Sequence, residues 1–318
     1  RQLSTLIGAG LPLSQSLRTV FDQTPNHRLK GIIQDLITSI EGGKSLHDSF
    51  AKHPEVFDKL FLALVATGEA SGTLDDSLQR VASQQEKDAA VMSKLKGALT
   101  YPLIVLFVIT GVMLFMLFTV VPQVEKLYVD LKKELPLLTH IMIMASEFAR
   151  TFWWLLILIA VAGGYFAFRY FKSDSGSRVL DVLKLDTPVV GGMFRKLYMS
   201  RFTRTGETLL TSGVPMLDML RISSESVNNS VISAEITRAA DKVKGGKALS
   251  ASLQSEPHIL SLVPQMIKIG EQSGRIDTMM GKTAKVYEDE LDEEIQAIST
   301  SIEPILMVVL AVVAGGMV

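Results

Sequence analysis

The sequence predicts an all-α protein, built as two copies of one helical bundle, each followed by a membrane-length apolar segment. Three observations carry that prediction. The stretch Gly68-Glu69-Ala70-Ser71-Gly72 occurs again as Gly270-Glu271-Gln272-Ser273-Gly274. Apolar residues between turn signals recur at three- and four-residue spacing, with no sustained period-two alternation and no Asn-Gly hairpin turn. After each copy of the motif, a long helical run reaches a proline, Pro102 or Pro304, and then an apolar run.

In chain order, Leu3, Leu6, Ile7, Leu13, Leu17 and Val20 mark the first helices, interrupted at Gly10-Leu11-Pro12. A helix over 29–40 stops at Gly42-Gly43, where a glycine can take the left-handed conformation. Ser45 is placed to cap a short helix ending at His53-Pro54, and another helix covers 57–67. After Gly72 a long helix carries Leu74, Leu78, Val81, Ala82, Ala89, Met92 and Leu95 on one side. Residues 102–121 hold no charge over 20 positions, which at 1.5 Å per residue is about 30 Å, the depth of a hydrocarbon core. A second uncharged run covers 152–168, with Trp153 and Trp154 at one end and Tyr165, Arg169 and Tyr170 at the other, as in an aromatic belt. A third starts at Pro304 and is too short to span after its 15 residues. The expected division is a first bundle at 1–100, a crossing at 101–121, a connection at 122–151, a second crossing at 152–171, a second bundle at 172–302 and a truncated third crossing at 303–318. With no initiator Met and an apolar run at the end, the sequence reads as part of a longer chain.

The repeat is nearly gapless. At an offset of 203, Gly10 and Pro12 match Gly213 and Pro215, and Gly42-Gly43-Lys44 matches Gly245-Gly246-Lys247. One residue is then lost, and at 202 the Gly-Glu-x-Ser-Gly motifs align, as do Pro102 and Pro304. One crossing after each bundle and one return helix place both bundles on the same side of the membrane. Arg80, Lys87, Lys94 and Lys96, with Arg169, Lys172, Arg178 and Lys184, outnumber Lys126, Lys132, Lys133 and Arg150 of the connection. That imbalance leans toward cytoplasmic bundles.

Composition excludes several function classes. With 47% hydrophobic residues and a mean hydropathy of +0.30, the chain is not that of a wholly soluble protein. A net charge of −1 offers no basic footprint for nucleic acid, and the absence of cysteine removes thiol chemistry and Cys-ligated zinc. Gly43-Lys44-Ser45 ends like a phosphate loop, but the required first glycine falls on Thr38 and a helix precedes it. His47 and His53 do not share a helical face, and His27, His140 and His258 are scattered, so no histidine metal site is expected. The uncharged runs hold only Thr110 and Thr119 as polar groups besides Gly, Trp and Tyr, which gives a transporter reading little support. A generic membrane scaffold is the other alternative. Six acids within 288–294 read as a solvated helix face or, more sharply, a docking surface for a basic partner. Within the repeated motif, Gly68 and Gly72 can end one helix and start the next, with Ser71 as a cap and Glu69 bonding free backbone N–H groups. Gly270, Glu271, Ser273 and Gly274 repeat the arrangement. No catalytic group, cofactor or metal site is expected.

Two bundles ending in Gly-Glu-x-Ser-Gly, each with Ala/Ser-Gly-Leu/Val-Pro near its start and Gly-Gly-Lys in its middle, resemble the GspF/PilC family. Tyr101-Pro102 and Glu303-Pro304, where the helices would enter the membrane, belong to the likeness, which covers essentially the whole chain. These are the inner-membrane platform proteins of type II secretion systems and type IV pili, and they are not enzymes. The resemblance implies two cytoplasmic six-helix domains, three crossings and assembly as a homodimer or homotetramer. It also implies contact with a hexameric assembly or secretion ATPase, with pilins or pseudopilins, and with other inner-membrane components of the machine.

Overall fold

Glycine turns and polar caps cut the first half into helices, and the second half is cut at the same places. The computed structural model describes residues 1–120, 122–123, 130, 137–188 and 191–317. Helices α1 (Gln2–Gly8), α2 (Leu13–Gln23), α3 (His27–Glu41), α4 (Leu46–Phe50), α5 (Lys59–Ser71) and α6 (Leu74–Phe115) form the first half. After α7 (Leu137–Phe171) and α8 (Asp174–Asp186) come α9 (Gly191–Thr211), α10 (Met216–Ser226), α11 (Ser230–Lys244), α12 (Leu249–Gln254), α13 (Leu262–Ser273) and α14 (Ile276–Met317). Among the described residues no strand occurs. The starts follow from side-chain oxygens that accept otherwise free N–H groups. Asn26 accepts from Leu29 N at 3.1 Å, and its repeat partner Asn229 accepts from Val231 and Ile232. Ser45 caps α4, as expected, and Asp58 caps α5.

Residues Arg1–Val91 and Asp181–Leu291 form one compact unit, so both halves of the repeat contribute to it. The sequence divides these stretches into two bundles. In the structure a continuous apolar core runs through both, from Leu36, Phe50, Leu64 and Val65 to Met199, Phe202, Met219 and Ile236. The join is made by α5, which packs against α9 and α10, and Lys59 meets Glu225 there at 2.7 Å. Leu64, Val65, Met199 and Phe202 are fully shielded from solvent. Each such side chain contributes roughly 1.5–3 kcal/mol by burial, so the join is as apolar as either interior. A smaller cluster of Leu17, Ile33 and Ile37 packs between α2 and α3.

The second unit comprises Met92–Leu180 and Asp292–Val318. Each long helix has 42 residues and passes through its proline without ending, a length of about 63 Å at 1.5 Å per residue. A proline removes one ladder hydrogen bond at Pro102 and at Pro304. A π-helical turn, Met116–Val120, follows α6. The stretch Leu74–Val120 is long and apolar enough to cross a membrane. Past Pro102 most of its described large apolar side chains are open, Ile109 being a buried exception: Phe107 is 80% exposed, and Phe166 of α7 is 70% exposed. Helix α7 breaks at Phe152 (φ −111°, ψ 18°), where the sequence reading starts its second crossing. Lys94 of α6 bonds Asp292 of α14 at 2.6 Å. The expected connection includes 124–129 and 131–136, which lie outside the described residues.

Candidate functional site

The repeated motif is the last turn of α5 and of α13, and its four signature residues do four different things. Gly72 and Gly274 end their helices with φ of +74° and +69°, a left-handed backbone that costs other L-residues about 1–2 kcal/mol. The next amide then closes the turn: Thr73 N donates to Gly68 O at 2.9 Å, and Arg275 N to Gly270 O at 2.9 Å. Gly68 and Gly270 do not end a helix, contrary to the expectation. They lie within it because the following helix crosses too closely for a side chain. A Cβ on Gly68 would sit 2.7 Å from Ser77 Cβ, and one on Gly270 would sit 2.7 Å from Ile276 Cα.

Glu69 reaches back across 22 to 23 residues: its Oε1 accepts from Leu46 N at 2.8 Å and its Oε2 from His47 N at 3.1 Å. Glu271 accepts from Ser250 N at 3.1 Å and from the Ser250 hydroxyl. Each carboxylate therefore neutralises free amides at the start of the short helix after the Gly-Gly-Lys corner, where the helix dipole favours negative charge. Ser71 does not cap the following helix, as the sequence suggests. Its hydroxyl donates backward to Thr67 O at 2.8 Å, and Ser273 donates likewise to Ile269 O.

The other repeated residues make the corners. Gly10 and Gly213 have φ of 85°, and Gly43 and Gly246 have 80° and 88°. Pro12 and Pro215 occupy the N-cap positions of α2 and α10. Lys44 and Lys247 supply the backbone N–H that closes the corner, to Ser39 O at 3.0 Å and Lys242 O at 3.1 Å.

Several paired interactions escape a reading of motifs. Arg1 meets Glu86 at 3.1 Å, and at the same repeat positions Arg204 forks onto Glu288 at 2.7 and 2.8 Å. Arg204 also binds Glu207, whose carboxylate lies against Gly281, where a Cβ would collide with it. The acidic run is therefore not simply a solvated face. Glu288 is bound by Arg204, Glu290 by Lys196 at 2.7 Å and Asp292 by Lys94. Beside this pair runs an open groove of about 700 Å³, lined by Lys87, Glu207, Lys282, Lys285 and Asp289 among others. Charges of both signs and no aromatic wall make it unlike an apolar ligand pocket.

A further pair changes partners between the halves. Asp35 faces His53 at 3.4 Å, and the equivalent residues Arg238 and Glu256 pair at 2.6 Å with the acid on the opposite side of the contact. Lys52 bonds Ser39 in the first half, whereas Lys242 bonds Ser255 in the second, so lysine and serine have traded places. Burial raises the Glu256 carboxyl, but hydrogen bonds from Lys242 and Arg238 outweigh it and hold its pKa below the ordinary value. These exchanges keep the contact while changing both residues. A single motif could not reveal them; aligning the two halves pair by pair could.

Comparison with known proteins agrees with the repeat. The family described as type II secretion system (T2SS), protein F, matches residues 1–122 and again 202–318. The chain is 39% identical over 317 residues to the type IV pilus assembly protein PilC of Thermus thermophilus, covering 99% of this chain and 78% of that protein. It is 37% identical over 318 residues to PilC of Myxococcus xanthus, covering 99% and 76%. It is 35% identical over 306 residues to the type II secretion system protein F of Xanthomonas campestris, covering 96% and 76%. Proteins of this kind are inner-membrane platform components of pilus or secretion machines and not enzymes. A helical framework laid down twice, each copy ending in a glycine-locked joint and a long helix, together with these matches, shows that the chain belongs to the type II secretion system protein F (GspF/PilC) family.

Proposed function

We propose that this chain is the platform on which a pilus or pseudopilus grows, with α6, α7 and α14 crossing the inner membrane and both repeat halves in the cytoplasm. A hexameric ATPase engages the cytoplasmic halves, and movement of α6 and α14 lifts pilins or pseudopilins from the bilayer into the fibre. The platform acts as a homodimer or homotetramer beside other inner-membrane components. The observation that carries this reading is the pair of 42-residue helices, each starting at a glycine-locked joint and continuing through a proline into an apolar stretch. A helix that continues from a packed core into open apolar surface is suited to passing movement into a membrane. The test is a flexible Gly-rich insertion after Ala89 in the full-length protein. Loss of fibre assembly with normal expression is expected, with single cysteines at Ser45 and Asp130 still labelling from opposite faces of the membrane. Normal assembly by that variant would sink the lever.

A further inference from the structure

Helix α8 carries apolar residues on two sides, and only one of them is covered. On the inner side Leu185 is buried and Asp181 accepts from Ser230 N at 2.9 Å. Asp186, at the C-terminus, is held by Arg195. On the outer side Val179, Val182 and Leu183 are 48%, 41% and 60% exposed. They stand at i, i+3 and i+4, which places them on one stripe of the helix. Such a contiguous apolar stripe on a helix whose other face is already packed marks a surface awaiting an occupant.

The start of α8 indicates which occupant. Only Lys172 and Ser173 separate it from α7, and the turn is tight. Ser173 N and its hydroxyl both donate to Tyr170 O, at 3.0 and 2.7 Å, and Gly176 N donates to the Ser173 hydroxyl at 3.3 Å. Gly176 lies so close to the last turn of α7 that a Cβ there would fall 2.6 Å from the Tyr170 carbonyl carbon and 3.0 Å from Phe171 Cα. The first turn of α8 therefore sits at the level where the aromatic end of α7 stops. At about 100° per residue, Leu183 and Val179 fall within about 60° of Gly176 on the helix, so the stripe lies toward the side that touches α7. Arg178 flanks it, and Arg169 and Lys172 stand just before it, with the Lys172 ammonium 5.2 Å from the Phe168 ring.

We propose that α8 lies on the membrane surface, with Val179, Val182 and Leu183 dipping into the headgroup region and Arg178, Lys172 and Arg169 meeting anionic lipid headgroups. The inference rests on the proposed crossing of the bilayer by α7. Short amphipathic helices with flanking cations bind in this way, by apolar burial plus attraction to anionic lipid.

The chain has no cysteine, so single cysteines in the full-length protein can carry an environment-sensitive nitrobenzoxadiazole label. Leu183→Cys, Ser177→Cys and Ile159→Cys are compared in nanodiscs containing phosphatidylcholine that bears a doxyl quencher high or low in its acyl chain. The expected result is quenching of the Leu183 label by the shallow quencher by about twofold or more, deep quenching at Ile159, and none at Ser177. Adding phosphatidylglycerol strengthens the Leu183 response, and Arg178→Glu removes that gain. An unquenched Leu183 label beside a quenched Ile159 label overturns the surface helix and leaves the crossing intact. An unquenched Ile159 label overturns the crossing itself. A Leu183 label shielded from aqueous iodide but unquenched by lipid means that protein covers the stripe, which also overturns the proposal.

Discussion

Gly68 and Gly72 are four residues apart and are glycine for unrelated reasons. Gly72 adopts a left-handed backbone, whereas Gly68 has helical geometry and is small because Ser77 and Leu74 of α6 press against it. In an open helix Gly68→Ala would stabilise by up to about 1 kcal/mol through propensity; here overpacking against α6 costs roughly 1–3 kcal/mol. We expect Gly68→Ala to lose about 2 kcal/mol or less by denaturant titration of the purified protein. Ser77→Gly in the same chain removes the nearest atoms and leaves Leu74 Cα at 3.1 Å. The double variant is therefore expected to be more stable than the sum of the single losses. Additive losses would show that the contact with Ser77 is not the cause. Gly72 was legible because a glycine after a helical run implies a C-terminal cap. The role of Gly68 was not, since close approach depends on a helix that only folding brings near.

The helices are held to one another by charged groups placed at their ends. Glu69 and Glu271 tie α5 to α4 and α13 to α12, and Glu256, just after α12, is bound by Arg238 and Lys242 of α11. Because the folded pKa of Glu256 is depressed, its stabilisation is present in full above the ordinary value of 4.5 and fades as pH falls through the lower folded value. Thermal stability is accordingly expected to hold from neutral pH to about pH 5 and then to drop, with part of the drop missing in Glu256→Gln. At pH 7 that variant loses about 2 kcal/mol, as for a hydrogen bond to a charged partner. An unchanged acid limb in Glu256→Gln would assign the loss to other carboxylates. In the first half the same position is His53, 3.4 Å from Asp35. A motif search treats Glu256 as an ordinary surface acid, because its two cations lie 14 and 18 residues away on another helix.

At the scale of the whole molecule, duplication did not produce two independent cores. Leu64 of α5 is fully buried in the core that also contains Met199, Phe202 and Met219 of the other half. Leu64→Ala should cost about 2–5 kcal/mol by loss of burial and the cavity left behind. Hydrogen exchange should then show amides of α9 and α10 losing protection together with those of α3 and α5. Protection that falls in the first half alone would mean that the halves unfold separately.

The sequence by itself determined the helical class, the two-fold repeat, the corner glycines and the apolar stretches beyond Pro102 and Pro304, since turn chemistry and hydrophobic period are local properties of the chain. Helix starts agree across the repeat for the same reason: Leu74 and Ile276 stand at the offset of 202. Only the tertiary structure decided that Glu69 caps α4, that Gly68 yields to α6, that Glu288, Glu290 and Asp292 of the acidic run are internally paired and that α5 joins the two halves. Those facts depend on which surfaces meet. Complementarity between distant residues is settled by packing and electrostatics in three dimensions, where the acid of a contact can change sides, as from Asp35 beside His53 to Glu256 beside Arg238, and the contact persists.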